Sequence, residues 1–136
     1  MVINNIFIAG SGLMGSGIAQ VCAQAGIEVT LNDISAEALA KGLSNIDWSV
    51  GKLIAKSLLH EDKATILGRI KASEDFAKAF EADLVIEAVF ENLELKQNIF
   101  RKLDATCNPD TLLASNTSAI PITTLAAVTR RPDRVL

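Results

Sequence analysis

The chain has 136 residues, enough for one domain with a real core, and 49% of them are hydrophobic, which suits a sheet buried on both faces. A net charge of −3 and few aromatics (five Phe, one Trp, no Tyr) argue against nucleic-acid and membrane-surface partners. No apolar run is long enough to span a bilayer, and Met1 to Asn5 passes straight into a strand, so a cytoplasmic protein without a signal peptide is expected, with an organelle matrix after cleavage of a transit sequence as the alternative.

The first strand is Ile6-Phe7-Ile8-Ala9, and it runs directly into Gly10-Ser11-Gly12-Leu13-Met14-Gly15. A helix is predicted from about Leu13 to Ala25, with Ile18, Val21, Cys22 and Ala25 on one face and Gly26 as its stop. A second strand, Glu28 to Asn32, delivers Asp33 at its carboxyl end. Strand, glycine turn, helix, strand and acid in this order make the dinucleotide-binding βαβ signature. Gly10 turns the chain off the strand, Gly12 lets the backbone approach a diphosphate, and Gly15 lets the helix pack on the sheet. The unpaired N–H groups that open the helix attract the phosphates. Asp33 accepts the adenine-ribose hydroxyls, in bonds worth about 1.5–3 kcal/mol each. A 2′-phosphate would meet that carboxylate as a like charge, and neither Asn32 nor Ile34 is an arginine, so NAD is expected over NADP. The plainer alternative, glycines that only make a turn and an Asp33 that only caps the next helix, leaves the complete unit unexplained.

A long helix follows from about Ser35 to Leu58. Its apolar stripe is Ala36, Leu39, Leu43, Ile46, Val50, Leu53 and Ser57, the last polar. Gly42 and Gly51 within it each cost roughly 1 kcal/mol relative to Ala, so the helix needs a partner. Glu61-Asp62-Lys63 opens that partner, a shorter helix to about Gly68, and the two form a helical hairpin between strands two and three. Strand three is expected near Arg69 to Ala72, a short helix near Phe76 to Phe80, and strand four at Leu84 to Ala88. A helix from about Leu93 to Ala105, the turn Asn108-Pro109-Asp110 and strand five, Leu112 to Ser115, come next. Pro121 marks the first turn of a last helix to about Val128, and Arg134-Val135-Leu136 reads as the start of a sixth strand. The expected fold class is α/β, a doubly wound, mostly parallel sheet (Rossmann type) with an inserted helical hairpin. The expected domain, 1–136, stops as the sixth strand begins, as in a fragment of a longer protein. Cys22 and Cys107 read as reduced, semi-buried small hydrophobes and make neither a redox pair nor a metal site.

In such a sheet, ligands sit beyond the carboxyl ends of the strands, at the switch between its halves. Strand four delivers Glu87 to Asn92 there, strand five delivers Ser115-Asn116-Thr117-Ser118, and Lys96 lies one helical turn past Asn92. These groups suit a cofactor mouth; they also read as turn formers and a Glu91–Lys96 surface pair.

The segments Gly10-Ser-Gly-Leu-Met-Gly-Ser-Gly-Ile-Ala-Gln20, Val85-Ile-Glu-Ala-Val-Phe-Glu-Asn-Leu-Glu-Leu-Lys96 and Leu113-Ala-Ser-Asn-Thr-Ser118, in that order, resemble the 3-hydroxyacyl-CoA dehydrogenase family over essentially the whole chain, most closely its short 3-hydroxybutyryl-CoA type. The resemblance implies that Gly10, Ser11, Gly12, Leu13, Met14, Gly15 and Asp33 hold NAD. It places Glu91 and Lys96 at the nicotinamide ribose and Ser118 between cofactor and substrate near the reacting oxygen, with Asn116 supporting the loop. Ser49 and Lys56 match positions that contact coenzyme A. They share a helix face with Asn45 and Lys52 opposite the apolar stripe, a face that also reads as simply solvated.

The same resemblance puts the base of the reaction, a histidine oriented by a glutamate in a His-Phe-Phe-Asn-Pro-like segment, just beyond the sixth strand. The helical domain that closes on substrate and makes the homodimer follows it. His60, the single histidine, lies in the hairpin turn and is read as an exposed turn residue. The reading is therefore the NAD-binding part of an enzyme that interconverts short 3-hydroxyacyl-CoA and 3-oxoacyl-CoA and is inactive on its own. A CoA-independent 3-hydroxyacid dehydrogenase and a non-catalytic NAD-binding module are the two alternatives.

Overall fold

The computed structural model describes residues 1–136. Five strands, β1 (Asn5–Ala9), β2 (Glu28–Asn32), β3 (Ile70–Ser73), β4 (Leu84–Glu87) and β5 (Leu112–Ser115), form one sheet in the order β3-β2-β1-β4-β5. Every neighbouring pair is parallel, so the doubly wound expectation holds. Outside β5, Val135 bridges Leu113 in parallel. The Leu136 N–H donates to the Leu113 carbonyl at 2.8 Å, and the Ser115 N–H to the Leu136 carbonyl at 2.9 Å. Pairing thus begins where a sixth strand was expected, although Pro132–Arg134 is a 3-10 turn and Arg134 is not yet extended.

The alternation of side chains across the pleat divides the interior in two. Ile6, Ile8, Val29 and Leu31 point to one face, under α1 (Leu13–Gln24), α2 (Ala36–Ala55) and α3 (Lys63–Gly68). Phe7, Ala9, Val85 and Leu113 point to the other, under α4 (Leu93–Thr106), α5 (Ile122–Ala126) and the 3-10 turn Phe76–Glu81. Fully buried Phe100 and Leu103 anchor α4, each side chain worth roughly 1.5–3 kcal/mol of transfer free energy.

Several helix details differ from the sequence reading. The buried face of α1 is Gly15, Ser16, Ala19 and Ala23, while Val21 is 65% exposed and Ala25 lies outside. Small side chains bring this helix close to the sheet, and the larger Val21 is turned away. The long helix ends at Ala55 and does not reach Leu58. Ser57 takes a left-handed φ of 59°, its N–H donates to the Ile54 carbonyl, and the Leu58 N–H reaches back to Leu53, which closes the helix. Ser57 and Ala36 are exposed and not part of the apolar stripe, in which Leu39, Ile46 and Val50 are buried together with Gly42, and Leu43 and Leu53 are half-buried, Leu43 packed on the core. The helical hairpin is held by Val50 and Ile66 in the core and by a Lys63–Asp47 pair at 2.6 Å. Asp62 caps α3, whereas Glu61 turns away to pair with Arg69, whose guanidinium also holds the Ala23 carbonyl at the end of α1.

Candidate functional site

The glycine turn sits at the centre of the sheet's carboxyl edge. Gly10 has φ 111°, and a Cβ there would lie 2.6 Å from the Ala88 carbonyl oxygen, so only glycine lets β1 leave the sheet this close to the end of β4. A Cβ on Gly15 would strike the Gly10 carbonyl. Its role is thus to close the turn on itself as well as to seat α1. Around Gly12 a Cβ would meet nothing within 4 Å. Leu13 and Met14 are exposed beside it. Ser35, Asp62 and Asn92 cap the starts of α2, α3 and α4 with their side chains, but α1 begins at Gly12 with no side-chain cap. An open, uncapped helix start beside a glycine that leaves room for a close approach fits a diphosphate.

Asp33 closes this half of the site. Its Oδ2 accepts from the Ser11 N–H at 3.0 Å and the Ser11 hydroxyl at 2.8 Å, and its Oδ1 accepts from the Ser35 N–H at 3.2 Å. Burial alone would raise its pKa. The Ser11 hydroxyl and the Ser11, Ser35 and Ile34 amides outweigh it and hold the carboxyl below its ordinary value. Ser11, 3% exposed, therefore ties the acid to the glycine turn, a job that the motif spacing did not reveal. Ile34 beside it is 94% exposed, and no arginine stands next to the acid to receive a 2′-phosphate.

The sheet order puts β2 and Asp33 on one side of β1 and the ends of β4 and β5 on the other, so the glycine turn is the crossing point. On the β4 side the structure assembles Glu87, Glu91, Lys96, Ser115 and Thr117. Lys96 is 1% exposed, so its pairing with the half-exposed Glu91 joins a buried cation to a carboxylate at the surface. Its Nζ donates to Glu87 Oε2 at 2.5 Å, to Glu91 Oε1 at 3.0 Å and to the Val89 carbonyl at 3.2 Å. Glu87, 0% exposed, also accepts from the Val89 N–H at 2.7 Å and from the Ser115 hydroxyl at 2.6 Å. Thr117 donates its hydroxyl to Glu91 Oε2 at 2.7 Å and its N–H to Ser115 Oγ at 3.1 Å. The Thr117 hydroxyl, followed by Lys96, keeps the Glu91 carboxyl below its usual range. Asn116 continues the β4–β5 ladder, its N–H on the Glu87 carbonyl at 2.9 Å, and Asn116 and Ser118 are exposed on the same loop. Glu87, Ser115 and Thr117 are the members that sequence reasoning left without a role of their own. A lone carboxylate in an otherwise apolar strand was the signal for the first.

The α2 face is more divided than expected. Ser49 is half-buried against α1 and accepts from Gln20 Nε2 at 3.0 Å, while Asn45, Lys52 and Lys56 are exposed. Lys56 lies just beyond the helix, roughly 30 Å along the axis from Ser35. His60 is exposed in the following turn. The cysteines are free and outside the site; burial pushes the Cys107 thiol up to about 11. No group of side chains forms a metal site, and no helix is long and apolar enough to cross a membrane.

Comparison with known proteins agrees with this geometry. A 3-hydroxybutyryl-CoA dehydrogenase of Bradyrhizobium diazoefficiens is 42% identical over 136 residues, covering 99% of this chain and 46% of that protein. The mitochondrial hydroxyacyl-coenzyme A dehydrogenase of Sus scrofa is 39% identical, covering 98% of this chain and 45% of its own length. The crystal structure of (S)-3-hydroxybutyryl-CoA dehydrogenase from Ralstonia eutropha superposes with a TM-score of 0.95 at 45% identity, covering 98% of this chain and 48% of that one. The chain spans about half the length of the curated relatives it matches. The profile described as "3-hydroxyacyl-CoA dehydrogenase, NAD binding domain" matches residues 5–136. The chain belongs to the 3-hydroxyacyl-CoA dehydrogenase family, of which it is the NAD-binding domain.

Proposed function

We propose that the protein containing this domain is an NAD-dependent (S)-3-hydroxyacyl-CoA dehydrogenase for short acyl chains, as in fatty-acid β-oxidation or butanoate-type metabolism. The observation that carries the reading is the continuous carboxyl-edge site, from Asp33 through the uncapped start of α1 to Glu91 and Ser118. The names of the relatives support the substrate class. The bound nicotinamide supplies the hydride acceptor. The amides of α1 hold the diphosphate, and Asp33 accepts the adenine-ribose diol while repelling a 2′-phosphate. Glu91 and Lys96 bind the other ribose. Ser118 donates a hydrogen bond to the substrate oxygen as the alcohol becomes a carbonyl, and Asn116 supports its loop. In line with the family resemblance, the hydroxyl proton would go to a histidine outside residues 1–136; His60, exposed in the turn of the helical hairpin, is not that base. Ser49 and Lys56 serve coenzyme A, Lys56 as a point charge for its phosphates. The substrate and dimer contacts belong to a helical domain outside these residues, in a homodimer. The bacterial relatives favour the cytoplasm over the mitochondrial location of the Sus scrofa protein.

The test is NADH-driven reduction of 3-oxobutyryl-CoA by the full-length protein, compared with free 3-oxobutyrate. CoA dependence is expected, and equal rates on the free acid would replace the reading with the CoA-independent one. In the same assay Ser118→Ala lowers kcat by about tenfold or more while NADH affinity stays within about twofold, as for a contact made at the reacting end. Equal losses in both would make Ser118 a loop residue.

A further inference from the structure

Lys96 Nζ has three protons and three acceptors: Glu87, Glu91 and the Val89 carbonyl. A ligand hydroxyl that is to accept from Lys96 must therefore displace one of them. Glu91 is the exchangeable partner, since its side chain is 47% exposed and that of Glu87 is 0% exposed. Glu87 in turn uses both oxygens. Oε2 holds Lys96 and the Val89 N–H, and Oε1 holds the Ser115 hydroxyl, which accepts from the Thr117 N–H one residue before Ser118. No buried polar side-chain atom in the protein lacks a partner, so both arms are fully bonded. A buried charge pair of this kind contributes little net stability against an apolar replacement of the same shape. Its cost is understandable if it fixes geometry.

We propose that Glu87 is a positioning residue for the nicotinamide half of the site. One oxygen keeps Lys96 in place while Glu91 and the ribose exchange on it, and the other sets the Ser115–Ser118 loop against the reacting oxygen. This rests on the dehydrogenase reading above. Glu87 touches neither cofactor nor substrate and acts through Lys96 and Ser115. The adenine half, on Asp33 and the start of α1, lies across β1 and shares no hydrogen bond with the Glu87 side chain.

The experiment is Glu87→Gln in the full-length protein, which keeps the shape and most hydrogen bonds but removes the charge, with titrations of NADH and ADP side by side. NADH dissociation constants are expected to rise about tenfold, the loss of one charge-assisted bond, while ADP stays within about twofold. Parallel loss of ADP and NADH would make Glu87 a general structural residue, and unchanged NADH binding would leave it no role; either overturns the proposal. If Glu87→Gln does not fold, Ser115→Ala decides, since it cuts the loop arm and leaves both buried charges paired. A fall in kcat for 3-oxobutyryl-CoA of about threefold or more, with ADP affinity kept, supports the proposal, and unchanged kcat overturns it. Failure of the unmutated protein to bind ADP or NADH at all would reject the dehydrogenase reading itself, a separate outcome.

Discussion

Asp33 takes three hydrogen bonds from Ser11 and Ser35, so its charge is fixed at the end of β2 before any ligand arrives. The Ser11 and Ser35 donors keep its pKa below the ordinary carboxylate value despite burial. NADH affinity should therefore be flat from about pH 5 upward and fall only in acid, as the carboxyl protonates. Asp33→Ala removes the acceptor of the ribose diol and the charge that repels a 2′-phosphate. NADH affinity is expected to drop about tenfold or more, and NADPH affinity to fall less or to rise, so the ratio between them narrows. Calorimetric titration of both nucleotides checks this. An unchanged NADH constant would remove Asp33 from the site.

At the scale of elements, α1 and α2 meet at Gly42, where sequence reasoning saw only the entropic cost of glycine in a helix. A Cβ at Gly42 would come 2.6 Å from Ser16 Oγ and 2.9 Å from the Ser11 carbonyl oxygen, and those two atoms already share a hydrogen bond of 2.8 Å. Helix propensity favours Gly42→Ala by about 1 kcal/mol, but crowding in a packed seam costs typically 1–3 kcal/mol. Crowding wins because one of the two neighbours is backbone. The variant should melt lower and bind NADH more weakly, since displacing Ser11 loosens its grip on Asp33; a higher melting temperature would show that the seam yields freely. Gly42 also marks where the sequence was legible and where it was not. The glycine turn, the five strands and the hairpin could be read because their signals are local: glycine spacing, apolar runs and caps within a few residues. The early end of α2 could not, because it depends on a serine adopting a left-handed φ. The partners of Glu87 and Lys96 could be listed but not joined. Ser115 lies 28 positions from Glu87, and only the β4–β5 register brings them together.

The molecule as a whole is two cores on either side of one sheet, and the second is closed by an ionic clasp that no local pattern announced. Asp104, near the end of α4, accepts from the Arg130 N–H at 2.9 Å and from Arg131 Nε at 2.8 Å. The Arg131 guanidinium also donates to the carbonyls of Asp104, Cys107, Asn108 and Thr111. This ties the end of α4 to the segment that leads into the Val135 bridge. Burial would raise the Asp104 pKa, but the Arg130 N–H and the two guanidinium groups more than compensate and lower it. A carboxyl depressed in the folded state stabilises fully above its unfolded value of about 3.9, and that contribution is lost as pH falls through the lower folded value. The Asp104 side chain is 7% exposed and that of Arg131 10%, so Asp104→Asn leaves a buried guanidinium without its counter-charge and should cost about 3 kcal/mol at neutral pH. Urea unfolding of both proteins should show the full gap from pH 7 down to about pH 5, shrinking below about pH 4 as the native carboxyl is protonated too. A gap of constant size into acid would mean that shape, and not charge, holds the clasp.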